Sequence, residues 1–194
     1  VVVGAAKDDA GATNSGTAYA FNATTGALIR TINNPTPGAG DMFGEAVAIS
    51  GELAIIGAYG DSTGATNTGS AYVFNVTSGV LVRSIHNPTP APIDRFGFRV
   101  GISGNAAIVG AYGDDTFADG TGSAYLFDID TGALVRTFNN PFPGVQDVFG
   151  SSVAIHRDQA LVSAFLDDSV NVDQGAAYLF NLKPNVTFTS PSGL

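Results

Sequence analysis

The chain contains no cysteine and no tryptophan, one methionine, two histidines and only eight lysines and arginines among 194 residues. Without cysteine there are no disulfide frameworks, thiolate zinc sites or cysteine nucleophiles. The shortage of basic residues, set against seventeen acids and a formal charge of -9, removes the sequence-independent attraction to phosphate that nucleic-acid binders and anionic membranes exploit. No apolar run reaches the roughly 18 residues of a membrane-spanning helix. His86 and His156 have no partner histidine at ligand spacing. A nucleophile elbow, an HExxH pair, a phosphate-cradling glycine loop and a tryptophan docking motif are all missing. Paired carboxylates for glycoside hydrolysis would need differentiated positions, whereas here the same acids recur. The expectation is a protein that is not an enzyme.

No basic segment followed by an apolar one opens the chain. Its first residues, "VVVGAA", match the middle of later segments. The chain therefore reads as a piece of a longer parent, and the missing leader has no bearing on secretion.

What is present is repetition. "FG" stands at Phe43, Phe96 and Phe149; "GxAY" begins at Gly16, Gly69, Gly122 and Gly175; a Gly-Ala or Ser-Ala pair begins at Gly4, Gly57, Gly110 and Ser163; Asn-Pro sits at Asn34, Asn87 and Asn140. Every interval is 53 residues, a period that signals a solenoid, a propeller or an array. Each unit holds four short apolar runs, in the second unit Val47 to Ser50, Ala54 to Ala58, Ala71 to Phe74 and Val80 to Ile85. Val, Ile, Tyr and Phe between Gly, Pro, Asn and Ser spell strands. The second run ("VVVGA", "AIIGA", "AIVGA") is apolar throughout, which predicts burial on both faces. Four-stranded units stacked face to face are propeller blades. The expected fold is an all-β propeller with about four blades: 1–42, lacking its first strand, then 43–95, 96–148 and 149–194, the last ending in a strand at "NVTFT" (Asn185 to Thr189).

Strands 1 and 2 are joined by tight turns ("SGE", "SGN") and strands 3 and 4 by "NATTG", "NVTSG" and "DIDTG". The 2-to-3 loops and the Pro-rich 4-to-1 connections are long. Connections in an antiparallel meander alternate between the two ends of the sheet, so both long classes should emerge on one face of the disc. Twelve of the seventeen acids fall there: Asp8, Asp9, Asp61, Asp114, Asp115, Asp119, Asp167, Asp168 and Asp173 on the first class, Asp41, Asp94 and Asp147 on the second. The expected result is a negative face that attracts cations and basic partners.

With these motifs, and "VGAYGDD" (Val109 to Asp115) and "DVFGSSVAI" (Asp147 to Ile155) among them, the chain resembles bacterial FG-GAP repeat proteins, relatives of the integrin α-subunit propeller, over Val1 to about Leu182. The resemblance implies a β-propeller that is extracellular or on the cell surface and used for adhesion or protein contacts. The calcium loop of integrin-type blades lies between strands 1 and 2, and this chain has only "SGE", "SGN" and "HRDQ" there.

Several site readings stay open. Asp8, Asp61, Asp114 and Asp167 are either Asx-turn caps or, where acids cluster (Asp114, Asp115 and Asp119; Asp167, Asp168 and Asp173), calcium ligands, calcium wanting six to eight oxygens. Asp41, Asp94 and Asp147 close the turn into strand 1 or touch a ligand. Together the two columns make up the candidate ligand-binding face. Tyr19, Tyr72, Tyr125 and Tyr178, with the phenylalanines two residues on, form an aromatic seam between blades or a platform for sugars. Arg30, Arg83 and Arg136 guard an outer edge strand or bridge to a neighbouring blade. The function this suggests is binding, adhesion or scaffolding of a protein or glycan at the cell surface. A propeller lectin and a structural array in a surface layer or fibre are the alternatives, with self-association completing the ring.

Overall fold

The computed structural model describes residues 1–116, 118–168 and 174–183. They form fourteen strands and, among the described residues, no helix. The first sheet contains β1 (Val2–Ala5), β2 (Thr17–Phe21) and β3 (Leu28–Asn33); the second β4 (Val47–Ser50), β5 (Leu53–Ala58), β6 (Ser70–Asn75) and β7 (Leu81–His86). The third contains β8 (Arg99–Ser103), β9 (Ala106–Ala111), β10 (Ser123–Asp128) and β11 (Leu134–Asn139); the fourth β12 (Phe149–His156), β13 (Gln159–Ala164) and β14 (Ala176–Asn181). Each sheet is an antiparallel meander in chain order, the pattern of a β-propeller blade. The strand expected at Asn185 to Thr189, and Asp173, lie outside the described residues.

Why these segments pair is visible locally. Gly51, at φ 59°, takes the left-handed conformation that a two-residue hairpin demands between β4 and β5. In the 3-to-4 hairpins an Asn or Asp side chain receives the turn's own N–H groups, as Asn75 Oδ1 does from Thr77 (3.0 Å) and Ser78 (2.8 Å).

Blades pack through three apolar clusters, one per junction. Ala18, Ala20 and Ile32 of the first blade meet Ile56, Tyr72 and Phe74 of the second. Ile55, Ala71, Val73 and Ile85 on the second blade's other side meet Phe96, Val109, Tyr125 and Phe127. Ile108, Leu126 and Phe138 then meet Phe149, Val162, Tyr178 and Phe180. Period-2 alternation gives each central strand two apolar faces, one for each neighbour. Phe43, Phe96 and Phe149 are wholly buried, each 5.8–5.9 Å from its blade's tyrosine and nearly perpendicular to its phenylalanine.

The glycines of the repeat permit this closeness. A Cβ on Gly57 would lie 1.9 Å from the carbonyl oxygen of Gly97 in the next blade, and one on Gly4 1.8 Å from that of Gly44. The paired FG and GA motifs are thus the two sides of one backbone contact.

Two expectations need correction. The second strand is buried on both faces in β5 and β9, but Val3 on β1 is 48% exposed and Leu161 on β13 44%, because each end blade has a neighbour on one side only. Arg30, Arg83 and Arg136 do lie on the edge strands β3, β7 and β11, but among the described residues they form no salt bridge to the next blade. They reach across the junction to hairpin carbonyls: Thr77 O (2.8 Å) from Arg30, Ile129 O (3.0 Å) from Arg83 and Asn181 O (3.1 Å) from Arg136.

Candidate functional site

The two long connection classes do share one face, and backbone hydrogen bonds lock them together. The 4-to-1 connection leaving each blade pairs with that blade's own 2-to-3 loop: Gly40 N with Thr13 O (2.9 Å) and Phe43 N with Ser15 O (3.1 Å), then Ile93 N with Thr66 O (2.9 Å) and Phe96 N with Thr68 O (2.8 Å), then Gln146 N with Asp119 O and Phe149 N with Thr121 O (2.8 and 2.9 Å). The residue before each FG phenylalanine, Met42, Arg95 or Val148, is left-handed at φ 52–57°, which turns the chain into the blade.

The repeated aspartates hold this arrangement together, Asp147 doing so through Oδ2 while its Oδ1 is buried without a partner among the described residues. Asp41 Oδ2 receives Asn34 Nδ2 (2.7 Å) and Gly38 N (2.6 Å); Asp94 Oδ2 receives Asn87 Nδ2 (2.7 Å) and Ala91 N (2.6 Å); Asp147 Oδ2 receives Asn140 Nδ2 (2.7 Å) and Gly144 N (2.5 Å). The second column accepts a hydrogen bond from a tyrosine hydroxyl, and Asp61 and Asp114 also cap their loops. Asp61 takes Thr63 N on Oδ1 (2.7 Å) and Tyr72 Oη on Oδ2 (2.7 Å). Asp114 takes Thr116 N (2.9 Å), the Thr116 hydroxyl and Tyr125 Oη. Asp167 takes Tyr178 Oη (2.6 Å) and Asn140 Nδ2 (3.0 Å), and Asp8 takes Tyr19 Oη (2.6 Å). Thr36 and Thr89, on the connections from the preceding blades, hydrogen-bond Tyr72 and Tyr125 (2.9 and 3.1 Å). The Asp–Tyr pair therefore also ties one blade to the next.

Sequence reasoning saw the turn caps and the aromatic seam but not that one is bonded to the other. The signal was available: each aspartate precedes its tyrosine by 11 residues in all four repeats.

Burial changes the electrostatics expected of this face. Asp41, Asp61, Asp94, Asp114, Asp147 and Asp167 are at most 5% exposed. Burial, with Asp114 and Asp115 adding repulsion, lifts Asp94 from 3.8 to about 6, against the opposing bonds from Ala91 and Asn87. Asp41 is raised for the same first reason, with Asp61 contributing. Of the twelve acids expected to charge this surface, the exposed ones among the described residues are Asp9, Asp115, Asp119 and Asp168.

For a metal, Asp114 and Asp167 already direct their oxygens at protein donors, and Asp115 Oδ1 receives Gly120 N (2.6 Å). Among the described residues no three acidic or histidine side chains gather where one ion could sit.

What remains open on this face differs from blade to blade. A cleft of about 280 Å³ is lined by Arg95, Tyr112, Asp115, Asp119, Gln146 and Val148. The Arg95 guanidinium lies 5.9 Å from the Tyr59 ring and 5.4 Å from the Tyr112 ring. Phe98 packs between those two rings, 5.5 and 4.5 Å from them. Met42 and Val148 stand where Arg95 does, and Glu45 and Ser151 where Phe98 does. At these positions the chemistry of the face departs from the repeat.

A family model described as "FG-GAP repeat" matches residues 37–74, 86–127 and 144–180, more than half of the chain. No curated protein matches its sequence. Among solved structures, the crystal structure of the computationally designed Ika4 protein superposes with a TM-score of 0.56 at 17% identity, covering 94% of this chain and 84% of that one. At that identity the likeness speaks for the fold alone.

Proposed function

The chain belongs to the FG-GAP repeat family, and from that premise we propose that it is a non-enzymatic binding or scaffolding propeller which meets a protein partner with its loop face, centred on the cleft of Arg95, Tyr112, Asp115 and Asp119. One observation carries this reading. Residues common to all repeats are consumed in holding blades together, while this cleft is built from residues that are not, and several of them stay exposed. Surface that repetition does not require is where recognition can be written.

Asp115 and Asp119 give the cleft two carboxylates against the single Arg95 guanidinium, which is stacked over the Tyr112 ring, and this negative excess beside an aromatic wall suits a basic protein segment. The reading assigns the stiffness of the loops to tyrosine, threonine and asparagine donors on Asp61, Asp114 and Asp167, and not to calcium. An extracellular or cell-surface setting, with a role in adhesion and an integrin-α-like bacterial origin, follows the resemblance and forms part of the proposal.

The test is binding to an array of Lys/Arg-rich peptides at two salt concentrations. The expected outcome is salt-sensitive binding that D115N/D119N removes and E52Q, at the opposite end of the blade, retains. A second reading, a lectin, is favoured by the half-buried Tyr112 ring, which lines the cleft beside the Asp115 and Asp119 carboxylates. Binding on a glycan array with a flat peptide response would transfer the function to it, and a flat response on both would remove the cleft from the account.

A further inference from the structure

The row of aromatic rings at the loop-face end of the blades has one place filled and the next left open. At the junction of the second and third blades Phe98 is a wedge between Tyr59 and Tyr112, with ring centroids 5.5 and 4.5 Å away and both contacts edge-on. One repeat later the flanking rings are Tyr112 and Phe165, and the wedge position is Ser151. Serine is too short to reach between them, and its hydroxyl hydrogen-bonds Ser163 instead, at 3.3 Å to the carbonyl and 3.2 Å to the hydroxyl. What is left is a pocket of about 200 Å³ lined by Phe98, Tyr112, Val148, Ser151 and Phe165. It lies between two described blades, inside the array and not at either end of it.

The pocket adjoins the cleft of Arg95, since Tyr112 and Val148 line both. We propose that it is a subsite for a phenylalanine-like side chain of the same partner segment whose basic residue faces Asp115 and Asp119. This rests on the reading of the cleft as a protein-binding site, and adds to it the residue that stands next to the positive charge.

Size, walls and internal precedent point to the same occupant. An apolar cavity of about 150 Å³ already takes a benzene ring, and this one is larger. Three of its five lining residues are aromatic, which favours a ring held by edge-to-face contacts. The precedent is Phe98 itself, which fills the preceding place with an arginine on either side of it. The Arg99 guanidinium lies 4.1 Å from the Phe98 ring, and Arg95 lies over Tyr59 and Tyr112 at 5.9 and 5.4 Å. At the open place the ring and both arginines are gone, replaced by Ser151, Val148 and Ser152. A partner that brings a ring with a positive neighbour would restore there what the chain builds for itself one repeat earlier, and Asp115 and Asp119 stand beside the pocket to receive the charge.

The test is calorimetric titration with two synthetic Lys/Arg-rich peptides of one sequence, the first with a central phenylalanine and the second with alanine in its place. The wild-type chain should bind the phenylalanine peptide at least about tenfold more tightly, as burial of an aromatic anchor does. S151F fills the place with the chain's own ring, as Phe98 does, and should bring the two affinities within about twofold by weakening the phenylalanine peptide. F165A, at a residue 59% exposed, removes one wall without touching the core and should reduce the preference in the same way, which keeps the test decisive should S151F not fold. Toluene, followed by saturation-transfer NMR, separates the pocket from the cleft: its signal on the wild-type chain should survive D115N/D119N and vanish in S151F. That toluene pattern with neither peptide bound would overturn the cleft reading and support the aromatic subsite. Equal measurable affinities for the two peptides, a phenylalanine preference that S151F and F165A both retain, or a toluene signal unchanged in S151F would overturn the subsite.

Discussion

Replacing Tyr72 by Phe removes one oxygen at a site where two blades and a loop meet. The Tyr72 side chain is 1% exposed, its hydroxyl donates to Asp61 Oδ2 at 2.7 Å, and Thr36 Oγ1 stands 2.9 Å from it. Burial, with Asp61 reinforcing it against the opposing Thr36 contact, holds the hydroxyl protonated far above its ordinary range, so it acts as a permanent donor. Asp61 is itself 3% exposed, and in Y72F its Oδ2 loses this donor with no water surface to turn to. Leaving a buried acceptor unpaired costs about 1–3 kcal/mol, while the ring's packing against Phe43 is retained. We expect Y72F to lose about 2 kcal/mol in urea denaturation with an unchanged slope, and Y125F to behave alike. Y19F is the internal control. Its geometry is the same, but Asp8 is half-buried and Tyr19 faces the open end of the first blade, so water replaces the lost proton and the midpoint should hardly move. Equal losses in Y19F and Y72F, or none in Y72F, would refute the claim that the aspartate column is a buried interblade tie.

Three further outcomes follow from the same geometry. Asp94 has its folded-state pKa raised to about 6, so it favours folding below its ordinary range and loses that contribution as pH rises through 6. D94N keeps an acceptor for Asn87 and Ala91 and should be about 1–2 kcal/mol more stable than wild type at pH 7.5, a gap that chemical denaturation should find closing towards pH 4 and that contradicts the reading if it is independent of pH. G57A would drive a methyl group into the Gly97 carbonyl, and its cost should exceed about 3 kcal/mol, the upper end for an overpacked core; a melting temperature within a few degrees of wild type would mean that the blades are not in backbone contact. Millimolar calcium should leave the melting temperature unchanged, because the buried aspartates already have protein donors, whereas a clear upward shift would reinstate Asp114, Asp115 and Asp119 as ligands.

The blades were legible because apolar alternation, turn residues and a constant period all point to the same meander. The sharing of one face by the two long loop classes followed from chain direction alone. The state of the acids on that face was less accessible. A count treats Asp61 and Asp115 alike, although Asp61 is sealed beneath Tyr72 and Asp115 is in solvent. Burial depends on the neighbouring blade, and no single repeat contains that information. The same holds for Arg83, whose partners Ile129 O and Asp130 O are 46 and 47 residues away. The cleft around Arg95 was invisible for a further reason: it consists of departures from the repeat, and reading by period suppresses departures.

The account turns on a division of labour between adjacent residues, with Asp114 holding the blades and Asp115 facing outward. Melting temperatures of D114A and D115A, recorded side by side at neutral pH, test it most directly. Loss of a buried hydrogen-bond network of about 2–3 kcal/mol corresponds, for a chain of this size, to a fall of about 4–12 °C. D114A should show that fall and D115A should melt within about 2 °C of wild type. The reverse order, or equal falls in both, would contradict the account.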